Sequence, residues 1–417
     1  MTTGILIAIF VSLYTAHLVL DFVLSRLNLQ HALQYREPPG PFAGHISLEQ
    51  HQKALAYHKA YYGFDMVETI FHAIVFLVFI YAGWLNTLDA WLYGYIGHEI
   101  HRGVVFFAML AVFSWILGLP FSWHSTFVIE EKFGFNRQTV KLWIMDHIKS
   151  LGLTCVLLVP VAYLLLYFMK TTGAFWWIYC WGLMFAYSLL ITMIYPVLIA
   201  PIFNKFTPLP AGELRTGIEN LAAATHFPLA NIYVMDASTR SKHSNAYFAG
   251  FGKTKRLVLY DSLIQDFGTD EILTVVAHEI GHFQHKHIIK QMFIGQLLYL
   301  GFFYVLSLGM SHPDYVYPTF CIDPLRISSY MSLILLGFWI SLLLPLLSPF
   351  FNLLSWRFET QADRASLEMT QKPEALKTML IKLADKNLSN LTPHPWYARF
   401  HYSHPPIWQR LQNLGLA

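Results

Sequence analysis

Two histidines four residues apart, with a glutamate directly after the first, are the side chains most suited to chemistry in this sequence. They are His278 and His282, with Glu279 between them, in the run AHEIGH. Residues four apart share one helix face, so both imidazoles can reach one metal ion. Neutral imidazole is a zinc ligand, and a catalytic zinc keeps one position open for water. Glu279 beside that water can take its proton, which is the HExxH chemistry of zinc peptidases.

A catalytic zinc needs a third protein ligand, and the C-terminal part of the chain offers one. The run SWRFETQAD places Glu359 and Asp363 four residues apart, on one face if the segment is helical. We expect Glu359 to bind the metal. We expect Asp363 to accept the free ring N–H of a ligating histidine, which fixes the tautomer of that ring. Taken alone, the pair would also suit a solvated helix face.

Peptide hydrolysis also needs a hydrogen-bond donor for the oxyanion of the tetrahedral intermediate. The run HYSHPP offers His401, Tyr402 and His404, and we favour His404 because prolines follow it. Arg410 would fix His404 or bind substrate, unless it is a surface charge. Asn245 would hold a substrate carbonyl if an extended substrate paired with the predicted strand that starts there. A turn-flanking role for Asn245 is the alternative.

Two further histidines, His285 and His287, follow the motif closely. No carboxylate lies near them in the sequence, so we expect interfacial or solvated side chains and not a second metal site.

The composition is that of a membrane protein. Of 417 residues, 55% are hydrophobic and 13% are charged, where a soluble domain has about 25% charged residues. The net charge of +3 does not suggest a nucleic-acid partner. Seven apolar runs are long enough to cross a bilayer. They cover residues 4–23, 64–84, 104–123, 151–169, 175–203, 292–310 and 330–354.

The basic residues predict the orientation of these runs. If the N-terminus lies outside and the first run is a retained helix, the segments between spans on the inner side are 26–63, 124–150, 204–290 and 355–417. They carry 4, 4, 9 and 8 Lys+Arg, or 25 of the 28 in the chain. Because Lys and Arg concentrate in cytoplasmic segments, the motif helix and the tail are expected on the cytoplasmic face.

The expected fold class is mainly α: a polytopic membrane protein with about seven transmembrane helices, plus a small α+β zinc-peptidase portion. We divide the chain into residues 1–203, 204–290, 291–354 and 355–417, and the α+β portion comes from the second and fourth of these parts.

Short strands are predicted at 232–234, 245–248 and 256–260, with a hairpin turn at 250–254. We expect a mixed-charge loop at 125–136. The motif helix is expected to start at Thr269, with its hydroxyl as a cap, and to continue straight into the sixth span.

The chain resembles the integral-membrane CAAX prenyl protease type 1 family of zinc metallopeptidases. The resemblance runs from about residue 50 to the end of the chain. One departure is Trp356, at a position where a basic or small residue is usual. The blocks that carry the resemblance are HEIGH, SWRFETQAD, STFVIEEKFGFN (125–136), YPVLIAPIFNKFTPL (195–209), SNAYFAGFGKTKRLVLYD (244–261) and HYSHPP (401–406).

The resemblance implies seven helices around a water-filled intramembrane chamber. It implies one zinc ion on His278, His282 and Glu359, with Glu279 as general base, and it implies substrate or transition-state contacts from Asn245 and His404. Some members remove the last three residues of prenylated CAAX proteins, and a role in membrane-protein quality control is expected for others.

We therefore expect an integral-membrane zinc metalloendopeptidase. Its partners would be the lipid bilayer and a peptide or protein substrate, with prenylated or membrane-associated proteins as the candidates. The alternative is a seven-helix channel or transporter with a structural zinc, which usually has four protein ligands. The chain has neither the long extra loop nor the dibasic tail of some eukaryotic members. This favours a bacterial inner membrane over the endoplasmic reticulum.

Overall fold

The computed structural model describes residues 3–250, 255–323 and 327–417, and most of these residues are helical. In chain order the α-helices are α1 (Thr3–Gln34), α2 (Leu48–Tyr81), α3 (Trp84–Tyr95), α4 (Glu99–His124), α5 (Glu131–Phe133), α6 (Val140–Thr171), α7 (Trp176–Ile194), α8 (Ala200–Phe203), α9 (Glu213–Ala224), α10 (Asp261–Asp266), α11 (Thr269–Gln284), α12 (His287–Met310), α13 (Pro313–Thr319), α14 (Ser329–Thr370), α15 (Pro373–Lys386), α16 (Pro395–His401) and α17 (Ile407–Asn413).

Seven helical stretches of the described chain are long and apolar enough to cross a bilayer, which confirms the number predicted from hydropathy. They are Thr3–Gln34, Leu48–Tyr81, Glu99–Phe133, Val140–Thr171, Gly173–Phe203, His287–Met310 and Ser329–Thr370. Each contains one of the seven predicted apolar runs or most of it. Several extend well beyond the run, because polar turns continue the helix outside the hydrocarbon.

The predicted loop at 125–136 is wrong for residues 125–133, because α4 continues there as a π-helical segment, Ser125–Glu130, followed by α5. The carboxylate of Glu130 accepts hydrogen bonds from Tyr57 (2.7 Å) and Tyr61 (2.6 Å) of α2. A charged residue that would favour a loop is thus paired inside the bundle. A second π-helical segment, Tyr195–Ile199, follows α7 and contains Pro196.

A four-stranded sheet shares a hydrophobic core with the motif helix, and its strand order is β1-β2-β4-β3. Strand β1 (Phe206–Pro208) pairs antiparallel with β2 (Leu229–Met235), and β2 is parallel to β4 (Lys255–Tyr260). Strand β3 (Ala246–Ala249) pairs antiparallel with β4. The three predicted strands are confirmed, and β1 is additional. The turn predicted at 250–254 lies largely outside the described residues.

The motif helix α11 begins at Thr269 as predicted, but a different residue caps it. The carboxylate of Glu271 accepts the Gly268 N–H at 2.8 Å, and the same side chain pairs with Lys382 of α15 at 2.8 Å. The prediction that this helix continues into the sixth span is wrong. Lys286 has φ 55° and ψ 34°, a left-handed conformation that ends α11 and redirects the chain into α12.

Helix α14 connects the membrane to the rest of the fold. Its 42 residues run without a break from the seventh span through Glu359 and Asp363, across the predicted division at 354/355. Small residues let it approach α11 closely: a Cβ built on Gly281 would lie 3.0 Å from Ala362 Cα and 3.0 Å from Ala365 Cβ. This contact brings the motif helix against the helix that carries the two acidic residues.

Gly281→Ala tests the close contact between these helices. The gain in helix propensity is about 1 kcal/mol, and overpacking costs about 1–3 kcal/mol. Because one clashing atom belongs to the backbone of α14, we expect the two helices to move apart. The thermal midpoint in detergent should fall, and so should the metal affinity measured by competition with a chelator.

Gly295→Ala on α12 is the matched control, since a Cβ there meets nothing within 4 Å. It should keep both the wild-type midpoint and the wild-type metal affinity. Equal losses in the two variants would show that the contact at Gly281 has no special importance.

Candidate metal centre

Three side chains from α11 and α14 converge on one point, which we call the metal point. His278 Nε2 and His282 Nε2 lie 3.1 Å apart. The carboxylate oxygens of Glu359 lie 3.4 Å from the first and 3.3 Å from the second. Ligand atoms about 2.0–2.2 Å from a tetrahedral metal ion are roughly 3.3 Å from one another. The three predicted ligands are therefore spaced as the ligands of a single ion.

The carboxylate of Glu359 provides a test of whether a cation fits this point. The residue is only 4% exposed, and its Oε2 has no hydrogen-bond partner within the described chain. Burying an unpaired charge is costly, so such oxygens are normally paired or bound to metal. A divalent ion among the three side chains would satisfy this oxygen and use the lone pairs of both rings.

Asp363 and Arg410 hold the ring of His278 from its Nδ1 side, away from the metal point. Asp363 Oδ1 lies 2.8 Å from His278 Nδ1, the contact predicted from the sequence. The Arg410 guanidinium donates to both carboxylate oxygens of Asp363, at 2.8 Å and 2.6 Å. With Nδ1–H donated to Asp363, the lone pair of His278 Nε2 faces the metal point.

The position of Arg410 differs from the predicted one. The sequence assigns it to His404 or to substrate, but the residue is 9% exposed and its guanidinium is occupied by Asp363. A bidentate arginine–carboxylate pair is strong and directional, so Arg410 orients Asp363. This geometry does not favour a direct contact between Arg410 and substrate.

The electrostatics of this point favour positive charge. Burial lowers the pKa of His278, but the adjacent carboxylates of Asp363 and Glu359 outweigh it and raise the pKa to about 10. The two carboxylates thus stabilise a cation here, whether that cation is a proton on the ring or a metal ion. Burial also raises the pKa of the neighbouring Glu279.

The sequence predicted an interfacial or solvated side chain for His287, but this residue is only 1% exposed and lies against His282. Its Nδ1 lies 2.9 Å from His282 Nδ1, and its Nε2 lies 2.8 Å from Gln361 Oε1. The amide oxygen can only accept, so His287 Nε2 carries the proton and its Nδ1 accepts from His282. That chain of hydrogen bonds directs the His282 Nε2 lone pair to the metal point. His285 is exposed, as predicted.

The remaining predicted residues lie around the same point. Glu279 is half-buried on α11 and interacts electrostatically with both motif histidines. His404 Nε2 lies 3.4 Å from Glu359 Oε1, its ring is 63% exposed, and its Nδ1 lies 2.9 Å from Ser403 Oγ. With that hydroxyl as donor, the Nε2–H of His404 is a hydrogen-bond donor on the open side of the centre.

Asn245 lies at the start of β3, the last strand of the described sheet. It is exposed, and its Oδ1 accepts the N–H of Ala246 at 2.8 Å. Aromatic contacts tie β3 to the motif helix, since Phe227 packs against Phe248 (centroids 4.5 Å apart) and against Phe283 of α11 (4.9 Å). A strand edge available to an extended chain therefore runs beside the helix that carries the histidines.

The contact between His287 and His282 predicts a role in metal binding. His287→Ala should lower metal affinity roughly 10- to 100-fold, because partners of this kind hold a ligating ring in its binding tautomer. Chelator competition on the purified protein measures the change. His285→Ala is the matched control, since that ring is exposed two residues away. An unchanged affinity in His287→Ala would remove His287 from the centre.

Comparisons with known proteins agree with this geometry. The family described as "CAAX prenyl protease N-terminal, five membrane helices" matches residues 28–205, and Peptidase family M48 matches residues 208–416. A CAAX prenyl protease 1 homolog of Oryza sativa subsp. japonica is 40% identical over 394 residues, covering 92% of each chain. CAAX prenyl protease 1 of Saccharomyces cerevisiae is 40% identical over 332 residues, or 76% of this chain and 72% of the yeast protein.

A solved structure matches the whole fold. The crystal structure of S. mikatae Ste24p aligns with a TM-score of 0.92 and 33% sequence identity, covering 99% of both chains. The resemblance inferred from the motif blocks is thereby confirmed. The chain is a membrane metallopeptidase that belongs to peptidase family M48.

Proposed function

We propose that this chain is a zinc endopeptidase with a single catalytic ion on His278, His282 and Glu359. The observation that carries the proposal is the buried carboxylate of Glu359, whose two oxygens face the Nε2 atoms of two imidazoles. The Nδ1 atom of each imidazole already has a hydrogen-bond partner. Two imidazoles, one carboxylate and an open side are typical of a catalytic zinc site. When bound, zinc acts as a Lewis acid on the substrate carbonyl and acidifies water.

The residues of the chain then divide the proton chemistry between them. The Glu279 carboxylate takes a proton from the attacking water, whose oxygen forms a bond to the carbonyl carbon of the scissile peptide. The Nε2–H of His404 donates to the oxyanion that develops on the carbonyl oxygen. When the C–N bond breaks, its electron pair stays on nitrogen, and Glu279 passes the proton to the leaving amine.

Asp363, Arg410 and His287 do not touch the substrate in this proposal. Asp363 and His287 each hold one ligating ring in the tautomer that points Nε2 inward, and Arg410 holds Asp363. The open edge of β3 would pair with the backbone of an extended substrate, and Asn245 would hold a substrate carbonyl at the end of that edge.

The alternative function, a channel or transporter with a structural zinc, is not favoured. The chain belongs to a peptidase family over nearly its whole length. The centre has three buried or half-buried ligands and one exposed, open side at His404, whereas a structural zinc is normally closed by four ligands.

The substrates proposed are membrane-associated proteins, with prenylated CAAX proteins as the first class to test. The support is that the similar rice and yeast proteins are named CAAX prenyl protease 1. Quality control of membrane proteins is the second class.

We place the site on the cytoplasmic side, because 25 of the 28 Lys and Arg lie in the four segments predicted on that side, which include the motif helix and the tail. The bacterial inner membrane, favoured over the endoplasmic reticulum, stays a prediction.

Glu279→Gln separates metal binding from proton transfer. The amide keeps the shape of the side chain but cannot accept the proton, so cleavage of a fluorogenic peptide should fall by at least about 10²-fold. Zinc content, measured by elemental analysis, should stay at one ion per chain. Glu368→Gln, at an exposed position of α14, is the control and should cleave normally. Cleavage by Glu279→Gln at the wild-type rate would refute its assignment as the base.

A pair of peptides tests the substrate class. A farnesylated peptide that ends in a CAAX sequence should release its last three residues, and the same peptide without the lipid should react more slowly. Mass spectrometry of the products identifies the cleaved bond. Equal rates with and without the lipid, together with cleavage of unprenylated membrane proteins, would favour the quality-control function.

A further inference from the structure

Helix α14 makes a row of contacts with the chain segment that leads to His404. Asn352 Nδ2 donates to the carbonyls of Arg399 and Phe400, both at 2.9 Å. One turn later, Trp356 Nε1 donates to the Tyr402 carbonyl at 2.9 Å. Asn352 and Trp356 thus hold three carbonyls within five residues before the imidazole.

The next turn of the same helix reaches the imidazole itself. Glu359, three residues after Trp356, has its Oε1 3.4 Å from His404 Nε2. The segment 399–404 and residues 352–359 of α14 therefore lie side by side. The metal point is at the end where Glu359 approaches His404. A single helix positions the third ligand and the oxyanion donor together.

These contacts provide hydrogen-bond donors for backbone carbonyls that have no partner within α16. Helix α16 ends at His401, so its last carbonyls have no partners within the helix. Tyr402 has already turned to an extended conformation, with φ −101° and ψ 118°. Its carbonyl points away from any helix ladder and is held by the indole of Trp356, which is only 8% exposed. Without that donor, a part-buried carbonyl would lose its partner and the segment would be free to move.

The segment has a second anchor beyond His404. Pro405 and Pro406 fix the backbone after the imidazole, and α17 then places Arg410 on Asp363. The imidazole lies between these two anchors, and its own hydrogen bond is to the adjacent Ser403. Its position over the metal point is therefore set by the anchors on either side.

We propose that Trp356 is a positioning residue for His404, acting through the Tyr402 carbonyl, with Asn352 as its partner one turn earlier. This inference rests on the proposed role of His404 as oxyanion donor. Displacing a catalytic group by about 1 Å can cost up to 10²-fold in rate, so a single indole N–H is enough to matter.

Trp356→Phe tests the proposal, because it keeps an aromatic ring in the buried site while it removes the N–H, together with part of the volume of the indole. We expect kcat to fall roughly tenfold with KM nearly unchanged, since the displaced group acts on the transition state. Zinc content and thermal midpoint should stay close to wild type. Trp91→Phe, at an exposed position of α3, is the control and should keep the wild-type kcat.

A double-mutant cycle with His404→Ala decides whether Trp356 acts through that imidazole. His404→Ala alone should lower kcat by about 10²-fold. In that background, Trp356→Phe should cost less than about twofold. A tenfold loss from Trp356→Phe in both backgrounds would overturn the inference, because the indole would then act by another route.

The two proposals fail in different ways. If His404→Ala slows cleavage and Trp356→Phe does not, the proposed function stands and the positioning role is refuted. If His404→Ala leaves kcat unchanged, the oxyanion assignment and the inference both fail. Should Trp356→Phe lower the thermal midpoint, Asn352→Ala provides a second variant that releases the Arg399 and Phe400 carbonyls. It is expected to show the same dependence on His404.

Discussion

Two carboxylates buried four residues apart on one helix are the charges that the rest of the site must balance. Removing a carboxylate from water costs several kcal/mol even after relaxation, which is on the order of the free energy of unfolding of a whole domain. Asp363 is balanced by Arg410 from the tail and by a ring of the motif helix. Glu359 is balanced by both ligating histidines, and by a metal ion when one is bound. The motif helix, α14 and the C-terminal tail therefore have to assemble together or leave a charge unpaired.

The parts of this structure that follow local patterns could be predicted from the sequence. Hydropathy locates the seven spans, since each must satisfy its backbone within one helix. The four-residue spacing locates the two ligating rings, and the same spacing relates Glu359 to Asp363. Short apolar runs predicted β2, β3 and β4, the last two of them on either side of a predicted hairpin turn. These patterns each depend on residues that are close in the chain.

The parts that depend on distant contacts could not be predicted. His287 reaches His282 because Lys286 adopts a left-handed conformation, and no glycine or asparagine signals a turn there. Arg410 looks like a surface charge until Asp363, 47 residues earlier, is placed beside it. The segment 125–131 ends in an acidic pair typical of a loop, yet two tyrosine hydroxyls of α2 accommodate Glu130 in a helix. Trp356 gave no signal beyond an unusual residue type, because its partner is a backbone carbonyl.

The unbroken course of α14 has a consequence for which bonds can be cut. Glu359 lies five residues, or about 8 Å of helix rise, past Leu354, where the apolar run of the last span ends. Because the helix is continuous over these residues, its rise fixes the distance between the proposed third ligand and the end of the apolar run. Under the proposed function, a substrate tethered in the bilayer would be cut at bonds that reach this height. The spacing along α14 would then restrict the position of the cleaved bond, in addition to any preference for particular side chains.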